Sequence, residues 1–253
     1  MERLVCTFQP LDQLNNNDGG YLKPKRLIDL SHTVYPGREE YKLNVDTRFT
    51  EQWPAFAKYQ RVNNAWYIIS EVTLNTHVGT HIEFPYQHCH DGPDAANFPL
   101  EGLIGEAVVI DISAWGNNQK IGLAGLQAKA DGLLRPGDIA YFYTGFDRYY
   151  RTPLQHHRPW FETAAISWLV NDVGIKVMGV DTSGIEVRNP DGSSPPGQPN
   201  HELLLCAGIP LLEYMANLGE FLNQRFSTFI LPVKIAGVEA FPVRVIGLEW
   251  EQT

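Results

Sequence analysis

Three apolar runs constrain the fold of this chain more than any other feature. The segment Glu106–Ile112 is almost continuously apolar, and Asp138–Thr144 and Lys176–Asp181 repeat the pattern. Runs of this kind form strands that are buried on both faces of a sheet. Between them, Leu123–Leu134 and Glu162–Val173 carry apolar residues at helical spacing. The sequence therefore predicts an α/β protein in which helices pack on a mixed sheet.

Further strand-like segments lie on both sides of this centre. Arg26–Leu30 is a short apolar run, and Trp66–Thr76 is rich in β-branched and aromatic residues. Phe226–Lys234 and Phe241–Glu249 predict a closing antiparallel pair. With no internal repeat and no obvious linker, residues 1–253 are expected to form a single domain.

Three short segments are interpreted from local signals. Residues 1–25 are polar and turn-rich, which predicts an irregular lead-in to the domain. The loop over residues 188–199 contains four prolines, and it is interpreted either as an active-site lid or as a variable surface loop. A short helix is expected over His201–Cys206, with Asn200 as its N-cap.

Composition and charge exclude several classes of partner. The chain has 253 residues and a formal charge of -9, without a run rich in Lys and Arg, so no nucleic-acid partner is expected. No apolar run approaches the roughly 18 residues of a membrane span, and no secretory signal is visible, so no membrane partner is expected. The cysteines Cys6, Cys89 and Cys206 are widely spaced, which predicts no disulfide framework and favours the reducing cytoplasm. Cys89 is interpreted as an incidental buried thiol or as a reactive one.

Residues 77–90 form a cluster that contains four of the eight histidines and one carboxylate. On an extended segment, the side chains of His77, His81 and Glu83 project to one face. If the segment coils instead, His77 and His81 still share a face. Imidazole and carboxylate groups are the preferred ligands of zinc, manganese and similar ions. The cluster therefore predicts a metal site.

The same cluster resembles the signature of the metal-dependent cyclase family, which includes bacterial kynurenine formamidases and isatin hydrolases. That signature reads His-x-Gly-Thr-His-x-Asp-x-Pro-x-His. The matching positions are His77, Gly79, Thr80, His81 and Pro85. Two positions differ, because Glu83 replaces the usual Asp and Gln87 replaces the usual final His.

The resemblance extends along most of the chain. Arg26–His32 is similar to the opening strand of the family, and Lys176–Ser183 is similar to a later core strand. Asn200–Leu205 and Gly208–Glu213 resemble the distal half of the family's metal site. The resemblance implies a swivelling β/β/α-type fold. The implied metal ligands are His77, His81, Glu83, His201 and Glu213.

This ligand set suits one ion of high coordination or two ions that share a bridging carboxylate. In the family the bridge is the distal Glu, which is Glu213 here. The composition of the set permits zinc or manganese, and also iron. The implied activity is hydrolysis of an amide or a cyclic amide by water that the metal activates.

Two alternatives to hydrolysis stay open at this point. A small-molecule cyclase or lyase would use the same metal, and a metal-retaining binding protein would have lost turnover through the changes at Glu83 and Gln87. A serine hydrolase is excluded, because the Gly-x-Ser-x-Gly elbow is not present. Since Gln87 cannot transfer a proton, His88 is predicted to do so if a bulge turns its side chain into the site.

Aromatic residues around the cluster suggest the kind of substrate. Trp53, Trp66, Phe84 and Tyr86 are expected to line a pocket for an aryl amide or an indole-like ring, or else to belong to the core. Family members often place such aromatics in the site of a partner subunit. The resemblance therefore also implies a homo-oligomer, either a dimer or a tetramer, that acts on a small molecule.

Overall fold

A computed structural model of the protein describes residues 24–189 and 191–251. The predicted lead-in therefore lies almost entirely outside the described residues. The strands are β1 Pro24–Asp29, β2 Leu43–Phe49, β3 Ile68–Leu74, β4 His81–Glu83, β5 Ile104–Asp111, β6 Lys120–Ile121, β7 Ile139–Tyr143, β8 Trp160–Phe161, β9 Val177–Val180, β10 Leu211–Glu213, β11 Arg225–Ile230, β12 Ala240–Pro242 and β13 Val245–Trp250. The helices are α1 Leu123–Ala130, α2 Thr163–Trp168 and α3 Pro199–Cys206.

The largest sheet has nine strands in the order β1-β13-β11-β5-β7-β9-β10-β4-β12. Its centre, β5-β7-β9-β10, is parallel, and the strands on both sides of that centre are antiparallel. Parallel neighbours need long crossovers, which here contain the three helices. The three predicted apolar runs are β5, β7 and β9, so the α/β class with a mixed sheet is confirmed.

Apolar side chains cover both faces of this sheet. On one face, Leu126, Ile166 and Leu204 from the three helices pack in one cluster with Phe142 of β7. Tyr141, the neighbour of Phe142 on that strand, belongs to the cluster on the other face. Successive side chains of a strand point to opposite faces, so a strand between two cores must be apolar at every position. This is why the central strands lack an alternating pattern.

Two details of the predicted elements differ from the structure. The segment Phe241–Glu249 forms two strands, because β12 pairs with β4 while β13 pairs with β11 as predicted. Helix α3 begins at Pro199 with Gln198 at the N-cap position, so the prediction of Asn200 as N-cap is wrong. Proline fits the first turn of a helix, and Asn200 instead donates its side-chain amide to the Phe161 and Ile185 carbonyl oxygens.

Cys89 and Cys206 form a disulfide, so the prediction that the cysteines form none is wrong for this pair. Their Cα atoms lie 5.7 Å apart, within the usual range. The bond joins the segment after β4 to the last residue of α3. Their sequence separation of 117 hides the pairing, because it depends on how α3 packs. Cys6 lies outside the described residues.

Asp181 directly follows β9 and has a structural role. Its carboxylate accepts hydrogen bonds from the Thr144 backbone and hydroxyl groups and from the Gly145 backbone N–H. Burial raises the pKa of Asp181 to about 7. The carboxylate therefore fixes the turn that follows β7. Among the residues that the structure describes, no helix is long and apolar enough to cross a membrane.

Candidate metal centre

The pairing of β4 with β10 brings together three of the five predicted ligands. His81 and Glu83 are two residues apart on β4, so their side chains project to the same face. Glu213 of β10 lies directly opposite His81 in the antiparallel register. Directly opposite residues of an antiparallel pair share a face of the sheet. Sheet register alone therefore places a histidine and two carboxylates together.

The other two predicted ligands approach this face from a turn and from a helix. His77 precedes β4, and its Nδ1 lies 3.1 Å from His81 Nε2. The turn between them needs Gly79, which has a φ of 69° and at which a Cβ would collide with Val34. His201 belongs to α3, and its Nε2 lies 3.3 Å from Glu213 Oε1.

The five side chains form two candidate ligand groups that share Glu83. One group is His77, His81 and Glu83, the other is Glu83, His201 and Glu213, and the ligand atoms within each group lie within 4.8 Å of one another. Glu83 Oε1 is 3.1 Å from His77 Nδ1, and Glu83 Oε2 is 3.8 Å from His201 Nε2. The resemblance implies Glu213 as the bridge, whereas Glu83 is the carboxylate common to both groups here.

Each of the three histidines is held by its outer ring nitrogen. Metal-binding histidines usually make such a contact to a carboxylate or a backbone carbonyl, which orients the ring. The contacts are His77 Nε2 to Glu239 Oε1 at 3.2 Å, His81 Nδ1 to the Gly79 carbonyl at 3.0 Å, and His201 Nδ1 to Glu186 Oε2 at 3.0 Å. Sequence reasoning missed Glu186 and Glu239, because neither lies in a motif and only the fold brings them to the site.

The charge distribution in the centre favours a cation. Burial alone would raise the pKa of Glu83, but hydrogen bonds from His77 and His81 hold it well below its usual value. Burial alone would lower the pKa of His201, but hydrogen bonds to Glu186 and Glu213 raise it to about 10. Glu83 Oε2 is buried and has no hydrogen-bond partner. A buried carboxylate oxygen without a donor fits a metal ligand.

The ligands line a cavity of about 320 Å³. Gln87 lies in its wall and donates from Nε2 to Glu83 Oε1 at 3.3 Å. The other residues of the lining are Tyr41, His156, Arg158, Ser183, Glu186, Arg188, Ser194, Gln198 and Tyr214. Several of them come from the predicted loop over residues 188–199, which therefore borders the site.

Two histidines outside the ligand set differ in whether they line the cavity. The His88 ring stacks on the His201 ring at 6.0 Å between centroids, but His88 is not part of the cavity lining. His156 is part of it, and its Nδ1 lies 3.0 Å from Ser183 Oγ. The Nε2 of His156 lies 3.0 Å from Glu40 Oε1. Sequence reasoning missed His156, which lies in a loop without a motif.

The four predicted substrate-binding aromatics lie outside the cavity lining. Trp53 is buried and donates its indole N–H to the Ile69 carbonyl, while Trp66 is 79% exposed and packs edge-on against Phe49. Phe84 has no exposed surface and packs in the core, and Tyr86 is exposed. Two tyrosines, Tyr41 and Tyr214, border the cavity.

Comparisons with known proteins agree with the fold. A model of the Cyclase family matches residues 28–187. Kynurenine formamidase from Erythrobacter litoralis is 27% identical over 227 residues, which cover 88% of this chain and 93% of that protein. Isatin hydrolase A from Ralstonia solanacearum superposes with a TM-score of 0.76 at 21% identity, over 88% of this chain and 92% of that one. A predicted metal-dependent hydrolase from Bacillus stearothermophilus gives a TM-score of 0.68 at 23% identity, over 88% and 98%.

The fold and the two ligand groups define an α/β protein with a candidate divalent-metal centre. The chain belongs to the Cyclase family, as the resemblance of its histidine cluster predicted.

Proposed function

We propose that this protein is a metal-dependent hydrolase that cleaves the C–N bond of an aryl amide or a cyclic amide. The observation that carries the proposal is the pair of ligand groups that share Glu83 at an open cavity. The names of its relatives, kynurenine formamidase and isatin hydrolase, support this class of reaction. The substrate is a small molecule, since the cavity has a volume of about 320 Å³.

In this proposal the centre holds one or two zinc or manganese ions. The ligands are His77, His81, Glu83, His201 and Glu213. A divalent ion bound there would lower the pKa of a coordinated water molecule and polarise a carbonyl oxygen. The chain itself contributes the orientation of the ligands, because Gln87, Glu186 and Glu239 each hold a ligand side chain by a hydrogen bond.

Proton transfer to the leaving nitrogen needs a titratable side chain, which Gln87 cannot provide. His88 stays a candidate on sequence grounds, and it would have to turn towards the cavity to serve. His156 already borders the cavity between Ser183 and Glu40. A histidine held between a hydroxyl group and a carboxylate can accept a proton and pass it on. The geometry therefore favours His156.

The remaining expectations belong to the same proposal. The chain acts as a single domain over residues 1–253, in the cytoplasm, as a homodimer or homotetramer. Trp53 and Trp66 belong to the region around β2 and β3, which pair with each other in a separate two-stranded sheet. In an oligomer, Trp66 with its large exposed surface would contact substrate in the site of a partner subunit, and Tyr86 would border the entrance.

Metal content is the first test of this proposal. Protein purified without chelator should contain about one or two equivalents of zinc or manganese per chain, and His81→Ala and Glu213→Ala should both lose metal. His90→Ala is the matched control, because the His90 side chain is 95% exposed and forms no part of the site. A wild type that neither contains nor takes up divalent metal would contradict the proposal.

Product analysis then separates hydrolysis from the alternatives. Formanilide and isatin are suitable substrates for the metal-loaded protein in ¹⁸O-labelled water. Hydrolysis incorporates the label into the product, whereas cyclisation does not. A loaded protein without turnover on any amide would favour the binding-protein alternative, which the change to Gln87 first suggested.

A further inference from the structure

Among the described residues, no carboxylate forms a salt bridge with the buried guanidinium group of Arg158. Its exposed fraction is 3%, and its Nη1 donates to the backbone carbonyl oxygens of Pro159 and Glu186. Its Nε is buried without a hydrogen-bond partner. The nearby carboxylates Glu186 and Glu213 pair with His201 instead. The charges of Glu213 and Glu186 act on Arg158 through space, but neither carboxylate accepts a hydrogen bond from it, so its Nη2 is open to an acceptor from outside the chain.

The free side of Arg158 faces the metal centre. Arg158 lines the same cavity as the candidate metal ligands. A Cβ placed on Gly184 would lie 3.2 Å from Arg158 Nη2 and 2.9 Å from Glu213 Oε1. The two groups therefore border one small space that Gly184, with a φ of 114°, keeps free of side-chain atoms. Arg158 Nη2 therefore lies beside a candidate ligand of the metal.

A second guanidinium group belongs to the same wall. Arg188 lines the cavity, and its Nε is also buried without a partner. The lining thus contains two guanidinium groups and the carboxylates Glu83, Glu186 and Glu213. One divalent ion changes the formal charge of these groups from -1 to +1. A cavity that holds the metal and has a positive formal charge attracts an anionic ligand.

We propose that Arg158, together with Arg188, binds a carboxylate group of the substrate. The preferred substrates are then aryl amides that carry a carboxylate close to the scissile C–N bond. Hydrogen bonds between a guanidinium group and a carboxylate are strong, and Arg158 Nη2, which lies beside Glu213, is free to donate them. The identity of the bond that is cleaved rests on the proposed function, whereas the binding of the carboxylate does not.

The test compares an anionic ligand with a neutral analogue of similar shape. Binding of 2-aminobenzoate and of its neutral analogue 2-aminobenzamide is measured by calorimetry on zinc-loaded protein. Wild type should bind the carboxylate tighter by about ten- to a hundredfold, which corresponds to hydrogen bonds between charged groups. Arg158→Met should reduce this preference to less than threefold, while Arg158→Lys should keep part of it.

Three controls make the outcome decisive. Arg135→Met removes an exposed guanidinium outside the lining and should leave the preference unchanged. Zinc content and circular dichroism are measured for every variant, because loss of the metal would also weaken carboxylate binding. If Arg158→Met loses zinc or unfolds, Arg188→Met decides, since its side chain is only partly buried and its removal should reduce the preference at least threefold.

Two results would overturn the inference: wild type that binds the acid and the amide equally, or folded Arg158→Met and Arg188→Met variants that retain the full preference. Failure of the proposed function has a different signature. A protein that discriminates between the two ligands through Arg158 but hydrolyses no amide would keep the carboxylate site and reject the hydrolase.

Discussion

His81 and Glu213 face each other across the pairing of β4 with β10, and His81 Nε2 lies 3.7 Å from Glu213 Oε2. The neighbouring pair of the ladder, Ile82 and Leu212, is fully buried on the opposite face of the sheet. A shift of the register by one residue would move apolar side chains to the site and ligands into the core. The hydrophobic core therefore fixes the geometry of the metal centre.

The shared position of Glu83 predicts that it matters more for metal binding than its neighbours. Glu83→Gln should remove a ligand from both groups and reduce the metal content to near zero. Glu186→Gln is the matched control, because it also removes one buried carboxylate but one that only orients His201. We expect it to bind metal about 10- to 100-fold more weakly, as measured by calorimetry. Equal metal content in the two variants would contradict the assignment of Glu83.

The raised pKa of His201 predicts that metal binding releases protons. In the metal-free protein this pKa is raised from 6.5 to about 10, so His201 is charged at neutral pH. Because a metal ligand must be the neutral imidazole, zinc binding at pH 7.5 should release at least one proton. Calorimetry in buffers of different ionisation enthalpy measures this number. Glu186→Gln removes the hydrogen bond between Glu186 and His201, which helps to raise this pKa. Zinc binding to this variant should therefore release fewer protons.

The same shift predicts how the stability of the metal-free protein depends on pH. Since the folded-state pKa lies above the unfolded value, charged His201 stabilises the fold fully below about pH 6.5, and this stabilisation is lost as the pH rises towards 10. Chemical denaturation with a chelator present should therefore give a falling free energy of unfolding over this range. The raised pKa would be contradicted if the free energy of unfolding of wild type fell with pH no more steeply than that of His201→Gln.

The placement of His156 at the cavity predicts which histidine transfers protons. His156→Gln should lower kcat by about 10²–10⁴-fold, the range expected for a general acid–base group, and should remove one limb of the pH–rate profile. His88→Gln should have a much smaller effect, since His88 lies outside the cavity lining. The reverse result would restore His88 to the role that the sequence suggests.

The bond between Cys89 and Cys206 predicts a stabilising effect of oxidation. Cys89→Ser/Cys206→Ser should lower the free energy of unfolding by about 2–4 kcal/mol, because the bond restricts the unfolded chain. Denaturation of oxidised and of dithiothreitol-treated wild type gives an independent value for the same bond. Unchanged stability after reduction, with thiol titration showing free cysteines, would mean that the bond contributes nothing.

Local patterns in the sequence predict the central strands and the first part of the metal site. The buried strands β5, β7 and β9 appear as apolar runs, and the His77–Glu83 cluster combines motif spacing with ligand chemistry. His201 and Glu213 are recognisable only through the family's order of motifs. The family itself was correctly predicted, because the motif at residues 77–85 is long enough to be specific.

Contacts between distant segments are the part that the sequence does not reveal. Arg158, Glu186 and Glu239 reach the site through loops and carry no spacing signal. Cys89 finds Cys206 only because α3 packs near the segment after β4. Trp53 and Phe84 match the composition of an aromatic pocket, yet both are buried outside the cavity lining. Burial and partner choice are properties of tertiary packing, which composition does not encode.

The short antiparallel ladder of β4 and β10 also limits how this site can change its chemistry. Its three residue pairs allow no insertion, because one added residue would exchange the two faces of the strand. The loop over residues 188–199 has no strand register to maintain. Redesign of substrate range should therefore vary the length of that loop and leave the ladder unchanged.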